Sequence, residues 1–185
     1  STGLPVNENP KARYYRHDVI DYIAKPSLIE QLLKESNIQT VYHLAASADV
    51  GLSMANPEGF YQNNLLGSIA LLNACQKRKV EKFVFASTSA VIGEPEYLPV
   101  DERHKTSPIS PYGLTKLSFE QYISYFSLNS EISFTSLRFP NVFGFRQRPD
   151  LEGGVVAIFK EMVSAGKQIV IFGDGGQTRD WVDVS

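Results

Sequence analysis

The chain has 185 residues, 43% hydrophobic and 21% charged, with a formal net charge of −2. That length holds one ordinary domain, or a domain with a small appended lobe, and can bury a sizeable core. Eighteen Lys and Arg against twenty Asp and Glu leave no basic excess for nucleic acid or an anionic membrane surface. The single cysteine, Cys75, excludes an intrachain disulfide and a cysteine-rich metal site. No apolar run approaches the roughly 18 residues of a membrane span. The opening is polar with both charge signs, unlike a secretory signal, so the expectation is a cytoplasmic globular protein without nucleic-acid or membrane partners.

In chain order, Ala12–His17 reads as a strand and Ser27–Ser36 as a helix with Leu28, Ile29, Leu32 and Leu33 on one side. Thr40–Ala45 is a short apolar strand ending in small residues. A long helix follows from about Glu58 to Lys79, with Leu65, Leu66, Ile69, Leu72 and Cys75 at helical spacing. Lys82–Ser87 is a second buried strand. After a loop rich in Pro, Gly and Glu come a helix from about Tyr112 to Leu128 and the strand Ser133–Phe139. Asn141–Gly154 reads as loop, Val155–Ala165 as an amphipathic helix, and Gln168–Phe172 as a short strand before the turn Gly173–Gly176. Strands alternating with helices predict βαβ units, a parallel sheet and right-handed crossovers. In such sheets a ligand crevice lies beyond the carboxyl ends of the strands, which gathers His43–Ala46, Ser87–Ser89 and Phe139–Asn141 on one edge.

Ser110–Lys116 (SPYGLTK) carries the sharpest chemical signal. Tyr112 and Lys116, four positions apart, share one helix face. An ordinary phenol titrates near pH 10; a neighbouring ammonium favours the phenolate and suits it to proton transfer with an alcohol. Ser87, Thr88 and Ser89 end the preceding strand, and a hydroxyl there either orients a substrate oxygen or caps a turn. His43 reads as a packed strand-end histidine, and His17 and His104 have no metal-ligand spacing. Cys75 lies on an apolar helix face. Lys77, Arg78 and Lys79 suit a helix C-terminus. Arg146 and Arg148 are equally a diphosphate clamp and solvated loop arginines. Phe119, Tyr122 and Phe126 at helical spacing are either core or an association seam.

Beside these readings stands a resemblance. The chain resembles the NAD-dependent epimerase/dehydratase family, extended short-chain dehydrogenases/reductases, and within it the nucleotide-sugar 4-epimerases. His43-Leu44-Ala45-Ala46 is similar to the strand end lying along the cofactor, Asn63–Gly67 to the NNxxG helix with Asn64 structural, and Phe83–Gly93 to the strand and loop carrying a catalytic Thr. Leu137–Gly144 resembles LRxxNVYG, and Gly173–Val184 the segment with a diphosphate-binding Arg. The resemblance implies a partial Rossmann-like, doubly wound α/β fold, with an NAD-binding domain over 1–145 and the start of an interleaved substrate-binding lobe over 146–185. It implies catalysis by Tyr112, Lys116 and Thr88. Contacts to NAD would come from Asp18, Val19, Leu44, Ala45, Ala46, Asn63, Ser87, Tyr112, Lys116 and Phe139. Contacts to a UDP-sugar would come from Thr88, Tyr112, Asn141 and Arg179, with no metal. By composition alone Asp18 is a strand-end acid.

The implied reaction interconverts UDP-glucose and UDP-galactose, or their N-acetyl forms, through a 4-keto sugar. Tyr112 takes the 4-hydroxyl proton, and NAD does the redox step. Family dehydratases carry Asp-Glu after the catalytic Thr, where this chain has Ser89 and Ala90. Ile92 replaces a usual Tyr as a packing change, Ala48 implies no cofactor-phosphate contact, and Pro140 alters the backbone before Asn141. Decarboxylation, or 3,5-epimerisation with reduction, would need further basic or acid/base groups. A remnant that only associates with a partner is the non-enzymatic alternative. No Gly-rich phosphate-binding turn occurs, and Ser1-Thr2-Gly3 resembles the stretch after a second strand. The expectation is therefore an internal fragment of a homodimeric enzyme, inactive by itself.

Overall fold

The computed structural model describes residues 7–149, 154–171 and 173–185. A short turn of helix, α1 (Asp21–Ala24), leads into α2 (Pro26–Glu35), which starts with proline at its first position, where a missing N–H costs nothing. The strand β1 (Thr40–His43) follows. Asp49 then caps α3 (Val50–Ala55) by accepting the Leu52 N–H at 2.8 Å, and Asn56 caps α4 (Pro57–Phe60) by accepting the Gly59 N–H at 3.1 Å. From α4 the chain continues through a π-helical stretch, Tyr61–Leu66, into α5 (Gly67–Lys77). Next come β2 (Lys82–Thr88), a 3₁₀ turn over Ser89–Val91, and α6 (Pro111–Ser127). The chain closes with β3 (Ser133–Phe139), β4 (Asn141–Phe143), α7 (Val155–Ser164) and β5 (Trp181–Asp183).

The main sheet has the order β1-β2-β3 and is parallel throughout, pairing His43 with Phe85 and carrying β2 on β3 from Lys82↔Ser133 to Thr88↔Phe139. Parallel pairing requires crossovers, supplied by α3 to α5 between β1 and β2 and by α6 between β2 and β3. The alternation of β2 sends Phe83 and Phe85 into the core, where they meet Ile29 and Leu33 of α2, Leu72 and Cys75 of α5, and Phe119 and Ile123 of α6. Phe85 and Phe119 pack edge to face with centroids 4.7 Å apart, a preferred aromatic geometry. Tyr122 and Phe126 pack against this cluster; the aromatic stripe of α6 is core, and the outward face carries Leu114 and Tyr125 instead. Burial pushes the Cys75 thiol up to about 12. Ile92 is likewise buried, as a packing substitution requires.

Three local expectations differ from the structure. Residues 12–17 form no strand: among the described residues no strand pairs with them, while the Ala12 N–H turns back to Asn9 O and the Tyr14 hydroxyl accepts the Asn9 N–H. Among the described residues nothing pairs with 168–171 as a strand either, and Val170 and Ile171 are exposed, while Phe172 lies outside the described residues. The stretch read as loop from Asn141 contains β4, which pairs in parallel with β5, Asn141 opposite Trp181 and Phe143 opposite Asp183; positions 150–153 of that loop, and the opening Ser1-Thr2-Gly3, are likewise not described.

The π-helical stretch turns two adjacent asparagines toward one residue. Asn64 donates to Ser47 O and accepts the Ser47 N–H, both at 2.9 Å, while Asn63 Nδ2 donates to Ser47 Oγ at 3.0 Å. Asn64 thereby stitches the segment after β1 to the helix, the structural role its motif implies. At the end of that stretch Gly67 approaches the Asp18–Ile20 turn so closely that a Cβ would lie 3.2 Å from Val19 O. Asp18 closes this turn by accepting the Ile20 N–H at 3.1 Å.

His43 sits against Phe85 with centroids 5.8 Å apart and its Nε2 2.7 Å from Ser68 Oγ. The Ser68 hydroxyl gives its proton to Asn64 O, so Nε2 carries the imidazole proton and donates. Burial, reinforced by the Lys116 charge, lowers the His43 pKa to about 3. The unfolded chain binds a proton here that the folded chain refuses, so the contribution is complete above pH 6.5 and is lost toward pH 3. Urea unfolding at pH 5 is expected to give a stability lower by about 2 kcal/mol than at pH 7 from this group, with that part of the slope absent in His43→Gln. Asn64→Ala strands both main-chain groups of Ser47 and is expected to cost about 2 kcal/mol in the same measurement at pH 7.

Candidate functional site

Helix α6 begins where the Ser110 hydroxyl accepts the Gly113 N–H at 3.1 Å and Pro111 takes the first helical position. This start fixes Tyr112 in the first turn and Lys116 one turn on, both buried on the side facing β2. Lys116 is only 3% exposed. Its ammonium donates to Ala86 O at 2.8 Å and lies 4.8 Å from the centroid of the Phe85 ring, so the charge is met by a carbonyl dipole and an aromatic face. Gly113 permits the approach of the helix to the preceding loop: a Cβ there would lie 2.6 Å from Ala90 O. Because Ala90 follows Thr88 by two residues, that contact holds the tyrosine turn beside the end of β2.

Thr88 is buried, and its Oγ1 accepts the Ala90 N–H at 3.1 Å. It therefore caps the 3₁₀ turn, and this bond occupies a lone pair without using the hydroxyl proton. Ser87 hydrogen-bonds Glu120, which also forms a two-point pair with Arg138. Ser89 is exposed and Ala90 half-buried, so the turn presents no carboxylate for elimination of water. Beyond β1, Leu44 is 67% exposed and is followed by Ala45 and Ala46; Phe139, at the end of β3, is 37% exposed. These apolar and small groups stand at the same carboxyl edge as Thr88, which is the register partner of Phe139. Such a wall suits the flat nicotinamide and ribose half of NAD. Asp18 and Val19 belong to the turn against Gly67, and the Asn63 amide is engaged with Ser47.

The other part of the predicted site stands on the small sheet. Asn141 donates through both its main-chain N–H and Nδ2 to Asp180 O at 3.2 Å, so β4 holds the residue next to Arg179 in place. Arg179 is exposed, with Nη1 on Thr178 O at 2.7 Å. A separate open cleft of about 530 Å³ lies between the loop after β4 and α7, lined by Phe143, Arg146, Val156, Lys160 and Glu161 among others. Tyr112, Lys116 and Thr88 do not line it, so this cleft lies apart from them. His104 is buried but structural: its Nε2 accepts the Glu96 N–H at 2.9 Å. Among the described residues no group of three His, Cys, Asp or Glu stands ready for one metal ion, and no helix is long and apolar enough to cross a membrane.

Sequence reasoning missed Glu120 and Arg138 as a pair. The signal was present, since Glu120 follows Lys116 by four residues and Arg138 lies inside the Leu137–Gly144 stretch. It also missed the β4–β5 pairing that joins Asn141 to the Arg179 segment, because strands of three residues carry almost no periodicity.

Comparison with known proteins gives the family. The profile of the NAD dependent epimerase/dehydratase family matches residues 6–185. A provisionally assigned UDP-glucose 4-epimerase of Methanocaldococcus jannaschii is 40% identical over 185 residues, covering 100% of this chain and 59% of the relative. The UDP-glucose 4-epimerase of Thermotoga maritima, solved with UDP-glucose, superposes with a TM-score of 0.93 at 37% identity, over 100% of this chain and 59% of that one. The Thermus thermophilus enzyme, solved with NAD, gives 0.90 at 38% identity, over 100% and 60%. The chain thus spans about three-fifths of the length of these relatives. With the profile match across nearly its whole length and the Tyr112, Lys116 and Thr88 arrangement on a parallel α/β sheet, the chain belongs to the NAD dependent epimerase/dehydratase family.

Proposed function

We propose that the polypeptide containing these residues is an NAD-dependent UDP-sugar 4-epimerase, acting on UDP-glucose and UDP-galactose or their N-acetyl forms. The observation that carries this reading is the buried Lys116 ammonium, one helical turn from Tyr112 and anchored to Ala86 O on the strand that ends at Thr88. Leu44, Ala45, Ala46 and Phe139 would hold the nicotinamide half of NAD, with Lys116 at its ribose; Asp18, Val19, Asn63 and Ser87 complete the cofactor contacts we assign. NAD, when bound, supplies the reversible redox step at the sugar C4.

Tyr112, as phenolate, removes the 4-hydroxyl proton and returns it after the keto sugar has turned over. Lys116 favours the phenolate by its charge and is itself kept in place by Ala86 O. Thr88 directs its hydroxyl proton to the sugar oxygen while Ala90 N–H fixes its Oγ1. Asn141 and Arg179, brought together by β4 and β5, hold the diphosphate. Ser89 and Ala90 in place of acidic residues favour epimerisation over dehydration, since elimination needs a second acid/base pair beside the sugar. A homodimer is part of the proposal, with exposed Leu114 and Tyr125 on α6 as apolar surface for it.

The test is turnover of UDP-glucose and UDP-N-acetylglucosamine by the natural polypeptide, with products resolved by chromatography and mass. Epimers of unchanged mass are expected; a product lacking water means a dehydratase, and no product with any UDP-sugar defeats the enzymatic reading. Tyr112→Phe is expected to lower kcat by about a thousandfold, within the range for loss of a positioned acid/base group, with KM for the UDP-sugar little changed. Gly113→Val, which drives a side chain into Ala90 O, is expected to lower both stability and kcat; equal kcat in this variant would separate the 3₁₀ turn from the site.

A further inference from the structure

Glu120 stands on α6 at the next four-residue step after Tyr112 and Lys116, so the three share one helix face. Its carboxylate accepts the Ser87 hydroxyl proton and a fork from Arg138: Nε at 3.1 and 3.2 Å and Nη2 at 2.8 Å. The Glu120 side chain keeps 10% of its exposure and that of Arg138 30%. Ser87 on β2 and Arg138 on β3 are register partners. One helix residue therefore grips the carboxyl ends of two adjacent strands at the same level. The residue before Ser87 provides the carbonyl that holds Lys116, and the residue after it is Thr88.

We infer that Glu120 is a positioning residue that, with Arg138 and Ser87, sets the height of α6 against β2. It acts through Lys116 and Tyr112 and touches neither substrate nor cofactor. A partly buried ion pair such as this one is a poor source of net stability compared with apolar packing of the same volume. Its two-point geometry instead fixes distance and angle together, which is what a proton-transferring pair needs. A sliding α6 would carry the ammonium off Ala86 O and the tyrosine turn away from Ala90 O in one movement. This inference rests on the reading of Tyr112, Lys116 and Thr88 as the catalytic group.

Three variants of the natural polypeptide test it. Glu120→Gln strands the Arg138 charge, so Glu120→Gln combined with Arg138→Met is measured beside it, removing both charges at near-constant volume. Ser87→Ala keeps the ion pair and removes one donor. In the double variant the melting temperature is expected to return toward that of the wild type. Its amides at 86–90 and 112–116 nevertheless exchange about tenfold faster, and kcat falls about a hundredfold with KM changed less than about threefold, the pattern of lost transition-state alignment. Ser87→Ala shows the same exchange signature to a smaller degree. A double variant whose exchange and kcat both stay within about twofold of wild type overturns the inference and leaves Glu120 a purely structural ion. If the wild type converts no UDP-sugar, the proposed function has failed and hydrogen exchange alone decides. Faster exchange confined to those two segments then supports positioning, and unchanged exchange overturns it.

Discussion

A primary ammonium taken out of water needs a fixed acceptor, and the bond from Lys116 to Ala86 O is the constraint on which the rest of the site depends. It can form only if α6 lies low over the end of β2. That requirement reaches outward in several directions. Gly113 must lack a side chain so that the first turn can touch Ala90 O. Phe85 must turn its ring beneath the charge, and Phe119 must then pack edge-on against Phe85. The same charge helps keep His43 neutral, which suits an imidazole packed among Phe83, Phe85 and Phe119 with the Ser68 hydroxyl as its hydrogen-bond partner. Core and site are thus one construction, joined at Phe85.

Much of the fold was legible because its elements are long and regular. Helices α2, α6 and α7 and strands β1 to β3 fall within a few residues of the expected positions, and the single helix expected from about Glu58 to Lys79 is a run of α4, the π-helical stretch and α5. What escaped was short or dependent on distant partners. Helix α3 owes its start to the Asp49 cap rather than to an apolar stripe. The β4–β5 pair joins residues about forty positions apart, which no local window can see. Residues 12–17 and 168–171 have strand-like composition without a paired neighbour among the described residues, and composition by itself makes no ladder.

The site divides in the same manner. Tyr112 and Lys116 were readable because a helix converts four-residue spacing into proximity. The location of Thr88 followed from its place at a strand end, but its bond to Ala90 N–H did not. Nothing in the local sequence said that Ser87 would face a carboxylate: that depends on the register between β2 and β3 and on the rotation of α6, both tertiary quantities. The proximity of Asn141 to the Arg179 segment is tertiary too.

The isolation of Cys75 has a practical side. Thiol reagents attack thiolates, and a lone, fully buried thiol with a pKa near 12 is silent in the folded chain. It packs with Leu72, Phe83 and Ile29, where α5, β2 and α2 meet. Labelling at this position therefore clocks the moment those three elements part. Within these 185 residues it is an intrinsic reporter of core opening, with no second cysteine to compete for the label.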